Sequence, residues 1–446
     1  MPECFLKFAG LFRNLFCMVY IQWSSKPGCN TSELVMAETV VHDPVKVIPF
    51  LMQLFTVFIF FFLLFPASYA QRPGGMRDET NFNFVSAKVS LPKDTFSLQI
   101  PEGFKLSVAA MPGTRIRFLA KAPDGRLFVT DMHDLSDNKK GRVLLLDKWN
   151  EPLRRFDTVI TYLGGLRNPN QVAFYNNYIY VAETHRLTRY RYNSGNSPAG
   201  EAEEIARFPD YGLSYKYGGW HLTRSLAFHK NKLYVSVGSS CNACIEKEEV
   251  RATIIEMNPD GSGQRIFARG LRNAVGIKWL GERLYATEMG RDLIGPDKPE
   301  DLFVEVNDGD FYGWPFFIHY RKRIYEDAEF KDSVRAPWVK IPPKPITGFK
   351  AHSAPLGFEL LWNFNDSVLK NKVLVCLHGS TSVWRRRGYE IVMLEKNGRY
   401  KPVVTGFLTG KDEKDRKGRP CDTLMNNERS LFFTDDLKGV VYYMYK

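Results

Sequence analysis

Four short segments place polar, ligand-binding side chains in one setting, a loop leading into an apolar, strand-like run. "GLRNAVGIKW" (270–279) carries Arg272 and Asn273, and "GGWHLTRSLAF" (218–228) carries His221 and Arg224. "FKAHSAPLGF" (349–358) carries His352, and "KGRPCDTL" (417–424) carries Arg419. Arginine is rarely buried without a partner, and nothing acidic adjoins Arg272 in the sequence. Guanidinium groups bind carboxylates and phosphates bidentately, so arginines converging from separate segments imply an anionic ligand. Any one of them alone reads equally as a solvated loop charge. The recurrence of the position is what suggests a shared site.

Something must bring these loops together, and a long repeat does it. Six segments share one form, a β-run entered through a polar tight turn: "APDGRLFVTD", "FYNNYIYVAE", "FHKNKLYVSVG", "WLGERLYATEMG", "LKNKVLVCLHG" and "NNERSLFFTDD". Asp-Gly and Asn-Asn before alternating apolar residues are hairpin signals. Each run is followed by another short strand, such as "GRVLLLD" or "GVVYYMY". With Leu127, Ile179, Leu233, Leu284, Val373 and Leu431 as equivalents, the spacings are 52, 54, 51, 89 and 58. The long gap holds an insertion, residues 316–346, rich in Pro, Lys and aromatics. A β-sandwich explains the alternation but not a period above fifty residues. The expectation is an all-β, six-bladed β-propeller with four-stranded antiparallel blades over residues 81–446, its ligands held at the mouth of the central channel.

The composition agrees. Of 446 residues, 44% are hydrophobic and 25% charged, as in ordinary globular proteins, and an aromatic share of 14% leans towards β-structure. A formal charge of +12 raises nucleic-acid binding, but the only dense basic stretches are "WRRRG" (384–388) and the mixed-sign "KDEKDRKGR" (411–419). A spread positive surface suits small anionic ligands, and no nucleotide-binding glycine signature is present. The reading is therefore no nucleic acid.

Residues 48–65, "IPFLMQLFTVFIFFFLLF", followed by "PASYAQ", read as the apolar core and cleavage site of a secretory signal, 48–70, with export after Ala70. Residues 1–47 are then an extension outside any domain, and 71–80 a linker. The rival is an uncleaved membrane anchor, since 18 apolar residues nearly span a bilayer. Either way the propeller is expected outside the cytoplasm, periplasmic or secreted, and membrane-bound only if the segment is retained. Cys241 and Cys244 in "CNAC" read as a short-loop disulfide, a zinc half-site lacking its second C-x-x-C, or two reduced thiols.

Taken together, "GGWHLTRSLAF…LYVSVGSSCNAC", "GLRNAVGI…LYATEMGRD…PEDLFVEVNDGDFYGWPF", "AHSAPLG" and "HGS…RRGYEIV" resemble the soluble glucose/sorbosone dehydrogenase family. These are propellers that use pyrroloquinoline quinone (PQQ) and calcium to oxidise sugars, passing electrons to an external acceptor. The resemblance implies that His221 is the catalytic base and that Arg272 stabilises charge developing on the quinone. It implies cofactor contacts from Arg272, Asn273, His352, Arg386 and Arg419, with Arg387 replacing Arg386 on a one-residue shift. It assigns calcium to the carbonyls of Gly290 and Arg291. The acids Asp292, Asp297, Glu300 and Asp301 read either as further ligands or as a solvated loop. Two departures stand out: Trp220 where the glucose enzymes carry an aspartate before the base, and Arg291 where they carry proline. The other classes open to this sequence are a non-catalytic propeller binding carbohydrate or protein, and a calcium-dependent lactonase-like hydrolase.

Overall fold

The computed structural model describes residues 82–209, 221–381 and 385–446; the signal-like segment 48–70, the linker 71–80 and Trp220 lie outside them. Strands make up six four-stranded antiparallel sheets, the blades of the expected propeller. Among the described residues the helical turns are short 3-10 segments. The innermost strands of blades one to six are Ile116–Lys121, Gln171–Tyr175, Arg224–His229, Ile277–Leu280, Pro355–Leu360 and Pro420–Asn427. Each touches the next, and the sixth touches the first, so they ring the axis. The ring is locked because Lys105–Ala110, from the start of the propeller, pairs with Val440–Tyr445 as the outer strand of blade six.

The residues aligned from the repeat all fall in the second strand of their blades. Those strands bury their alternating faces between neighbouring sheets, as where Phe128 meets Phe174 and Tyr192 of the next blade at ring separations of 5.2 and 6.0 Å. Burying each such side chain contributes roughly 1.5–3 kcal/mol. A hairpin, Phe84–Leu91 with Asp94–Pro101, precedes the propeller and packs Phe96, Leu98 and Ile100 onto the core of blades five and six. The 316–346 insertion falls between the third and fourth strands of blade four and carries its own hairpin, Phe317–Tyr320 with Arg323–Glu326.

Polar residues in or just after the second strand organise the top of five blades, and in three of them they form a threonine–acid pair. In four blades a hydroxyl, from Thr130, Ser236, Thr287 or Thr434, accepts an N–H of its own inner strand. Three of them also donate to the next blade's inner strand: Thr130 to Asn170 O (2.6 Å), Thr287 to Leu356 O (2.8 Å) and Thr434 to Arg117 O (2.7 Å). These hydroxyls serve buried backbone groups that would otherwise lack partners, each at a cost of about 1–3 kcal/mol. A buried acid then clamps the loop above the inner strand. Asp131 accepts from Arg115 N (3.0 Å), Glu183 from Arg167 N (2.6 Å), Glu288 from Asn273 N (3.1 Å) and Asp435 from Arg419 N (2.9 Å).

Candidate functional site

Two of those clamped loops, at Asn273 and Arg419, are among the segments singled out in the sequence. His221, Arg272 and Asn273, His352, and Arg419 immediately precede the inner strands of blades three, four, five and six. Arg272, Gly290, Arg291, Asp292, Asp301, His352 and Arg419 line one cleft of about 130 Å³ at this end of the axis.

Arg272 is only 3% exposed. Its Nε donates to Asn242 O at 2.8 Å, its Nη2 to Asn242 Oδ1 at 2.9 Å and its Nη1 to Gly290 O at 3.1 Å. Its nearest carboxylate oxygen, on Asp292, is 3.5 Å away. Burial works against the charge of Asp292, but the His352 hydrogen bond (3.1 Å) and the Arg272 cation hold it below the usual carboxylate range. That same hydrogen bond raises the pKa of His352. Arg419, 8% exposed, donates through Nε to His378 O at 3.1 Å and through Nη2 to Gly379 O. Burial pulls its pKa down to about 10, still cationic at neutrality.

His221 adopts a left-handed backbone, φ 51°, and packs against Gly238, where an added Cβ would lie 2.6 Å from His221 Cβ and 2.9 Å from Asn273 Oδ1. His221 Nδ1 lies 3.0 Å from the carbonyl of Ser239. The Ser239 hydroxyl, 2.9 Å from Nδ1, donates to Cys241 O (2.7 Å), and a carbonyl can only accept, so Nδ1 carries the proton and Nε2 is the basic nitrogen. Burial, with the Arg272 cation adding to it, holds the His221 pKa well below 6.5. Asn273 is buried, its side-chain Nδ2 3.3 Å from the sulfur of Met289.

Arg386 is exposed and Arg387 pairs with Asp297, so neither forms the wall of the cleft. The half-buried neighbour Arg385 is the arginine close enough to His352 to oppose its protonation. Arg291 turns its side chain outward from the axis to Asp327 (2.9 Å) and Glu329 (2.5 Å) near the insertion's hairpin. The acids do not form a solvated loop as a group. Asp301 is buried and ties blades four and five together by accepting from Gly290 N and Ala354 N, both at 2.8 Å. Cys241 and Cys244 form a disulfide.

Residues not singled out in the sequence connect to Arg419 through His378. Asp436 is fully buried between Arg117 Nη1 (2.7 Å), Arg115 Nη2 (3.4 Å) and His378 Nε2 (2.7 Å). Burial, helped by Arg419, holds His378 neutral with a pKa of about 3. The tetrapeptide "GLRN" occurs twice, at 165–168 and 270–273. In both copies the glycine takes a left-handed φ, 70° and 72°, and the leucine is buried. The copies diverge at arginine: Arg167 makes a bidentate pair with Asp137 (2.6 and 2.7 Å), whereas Arg272 donates to Asn242 and Gly290 and stands 3.5 Å from Asp292.

No family model matches the chain. An uncharacterized protein of Borreliella burgdorferi is 25% identical over 395 residues, 82% of this chain and 95% of that protein. The calcium structure of a Trichoderma reesei protein of Carbohydrate-Active Enzymes Family AA12 matches with a TM-score of 0.63 at 17% identity, covering 82% of this chain and 99% of that one. The holo PQQ domain of pyranose dehydrogenase from Coprinopsis cinerea gives 0.60 at 17% identity, covering 80% and 98%. The soluble aldose sugar dehydrogenase of Escherichia coli, in its apo form, gives 0.54 at 15%, covering 77% and 99%. The chain therefore shares the propeller fold of these proteins over nearly their whole length.

Proposed function

We propose that the chain is a PQQ- and calcium-dependent dehydrogenase that oxidises a sugar, with an external electron acceptor. The observation that carries this reading is the pair of buried arginines, Arg272 and Arg419, brought from different blades to one cleft. Arginine side chains in one wall suit a polycarboxylate, which they bind bidentately, and PQQ bears three carboxylates. The donor set also suits calcium, because the Gly290 carbonyl and the Asp292 carboxylate are hard oxygen ligands in the same wall. Since Gly290 O already accepts from Arg272, a dication there requires a polyanion beside both charges, which is what a tricarboxylate supplies.

When bound, PQQ with calcium supplies the acceptor for the hydride leaving the sugar carbon. The remaining work falls to the protein. Nε2 of His221 accepts the hydroxyl proton as the carbon–oxygen double bond forms, a role that asks for the neutral imidazole enforced by burial. The Nδ1 bond to Ser239 keeps the ring in the required tautomer and orientation. Arg272, fixed before substrate arrives, opposes the negative charge that builds on the oxidant.

The test is reconstitution of the full chain with PQQ and calcium, followed by dye reduction across a panel of aldoses. Turnover that His221→Ala abolishes while the cofactor stays bound supports the reading. Cofactor uptake without turnover on any sugar, or lactone hydrolysis without PQQ, overturns it. An exported, periplasmic or secreted location is part of the proposal and follows from the 48–70 segment.

A further inference from the structure

Asn242 stands inside the Cys241–Cys244 disulfide ring and bonds to both the Arg272 side chain and the Asp292 backbone. Its backbone carbonyl accepts from Arg272 Nε (2.8 Å) and from the Trp314 indole (3.2 Å). Its side-chain Oδ1 accepts from Arg272 Nη2 (2.9 Å) and from the backbone N–H of Asp292 (2.8 Å), and its Nδ2 donates to Asp292 O (3.0 Å). One residue of blade three thus joins the Arg272 loop, the Gly290–Asp292 loop and Trp314, just ahead of the insertion. Two of the guanidinium's five N–H groups go to Asn242, which fixes the plane of Arg272.

The ring matters because the contacts divide between main chain and side chain. The side-chain bonds need an amide at position 242. The carbonyl bonds need the 241–244 backbone held in place, and the disulfide does this together with the Ser239 hydroxyl, which donates to Cys241 O (2.7 Å).

We propose that Asn242 is a positioning residue for Arg272 and Asp292, and that the Cys241–Cys244 bridge is the brace that keeps it in register. The inference deepens the PQQ reading, on which its effect on cofactor affinity rests. Removing either part lets the guanidinium swing, so that an anion must organise the site as it binds.

The experiment compares the unchanged full chain with Asn242→Leu, Asn242→Asp and Cys241→Ser/Cys244→Ser. In the cofactor-free proteins, hydrogen exchange read by mass spectrometry should be faster in the peptide spanning residues 289–294 of Asn242→Leu and of the double-serine variant, with the inner strands unchanged. Affinity for PQQ with calcium, read by tryptophan fluorescence, should fall about tenfold or more in the same two proteins, as for other residues that orient ligands. Asn242→Asp keeps both acceptor bonds and should recover part of the loss. Wild-type exchange and affinity in both damaged variants would overturn the proposal. If the unchanged chain takes up no PQQ, the cofactor reading fails, and the exchange measurement alone decides the role of Asn242. Exchange accelerated throughout the blades would mean that the bridge braces the whole fold and would also overturn it.

Discussion

Arg272 Nη1 donates to the carbonyl of Gly290 at 3.1 Å, which places a buried guanidinium on the oxygen that the family resemblance assigns to calcium. Two cations sharing one carbonyl repel unless an anion lies between them. Calcium should therefore bind the cofactor-free chain weakly and bind at least about tenfold more tightly with PQQ present, and by linkage calcium should tighten PQQ equally. Calorimetric titration of calcium with and without PQQ checks this. Equal affinities would mean that the two ligands do not share a site.

The pH profile follows from His221. The base must be neutral to accept a proton, and burial together with Arg272 lowers its pKa well below 6.5. The neutral form thus persists as pH falls through 6.5, and kcat/KM should stay level there and decline only at lower pH. An acid limb centred at or above 6.5, in steady-state assays from pH 4 to 9, would remove His221 from that role.

Gly238 is the contact between the base and the Asn273 side chain. Its substitution is a steric test, because a Cβ would lie 2.6 Å from His221 Cβ. Gly238→Ala should cost about 1–3 kcal/mol of stability through overpacking. It should also cut kcat by tenfold or more, since a shift of about 1 Å in a reacting group is that costly. Unchanged kcat would show that the His221 position is not critical.

How much of this was legible beforehand depended on periodicity. The six apolar anchors from Leu127 to Leu431 recur once per blade, so fold and blade number could be read from spacing. The Thr-Asp, Thr-Glu and Thr-Asp pairs at 130–131, 287–288 and 434–435 were equally periodic and were passed over, although they clamp the site loops. Four loop positions, His221, Arg272, His352 and Arg419, were found because each repeats its place before an inner strand. The arginine run 385–387 has no such anchor, and the choice fell on exposed Arg386 where Arg385 faces His352. Asn242 was invisible because its partners lie 30 to 72 residues away, joined only by loop packing.

Asp436 ties the last blade to Arg117 of the first, a pair buried at 5% and 0% side-chain exposure. Asp436→Asn leaves that guanidinium without its countercharge, a loss of roughly 3–5 kcal/mol for a buried pair. The melting temperature should drop by roughly 5 °C or more by calorimetry. No change would mean that Arg117 is adequately held by its bond to Asn170 (3.1 Å).

The account stands on one measurement, equilibrium binding of PQQ with calcium to the unchanged chain, Arg272→Gln and Arg419→Gln. Both side chains line one cleft and are buried there, so each loss should weaken binding by about tenfold to a hundredfold, the worth of a charge-assisted contact of about 1.5–3 kcal/mol. Uptake of PQQ by all three proteins with indistinguishable affinity would contradict it.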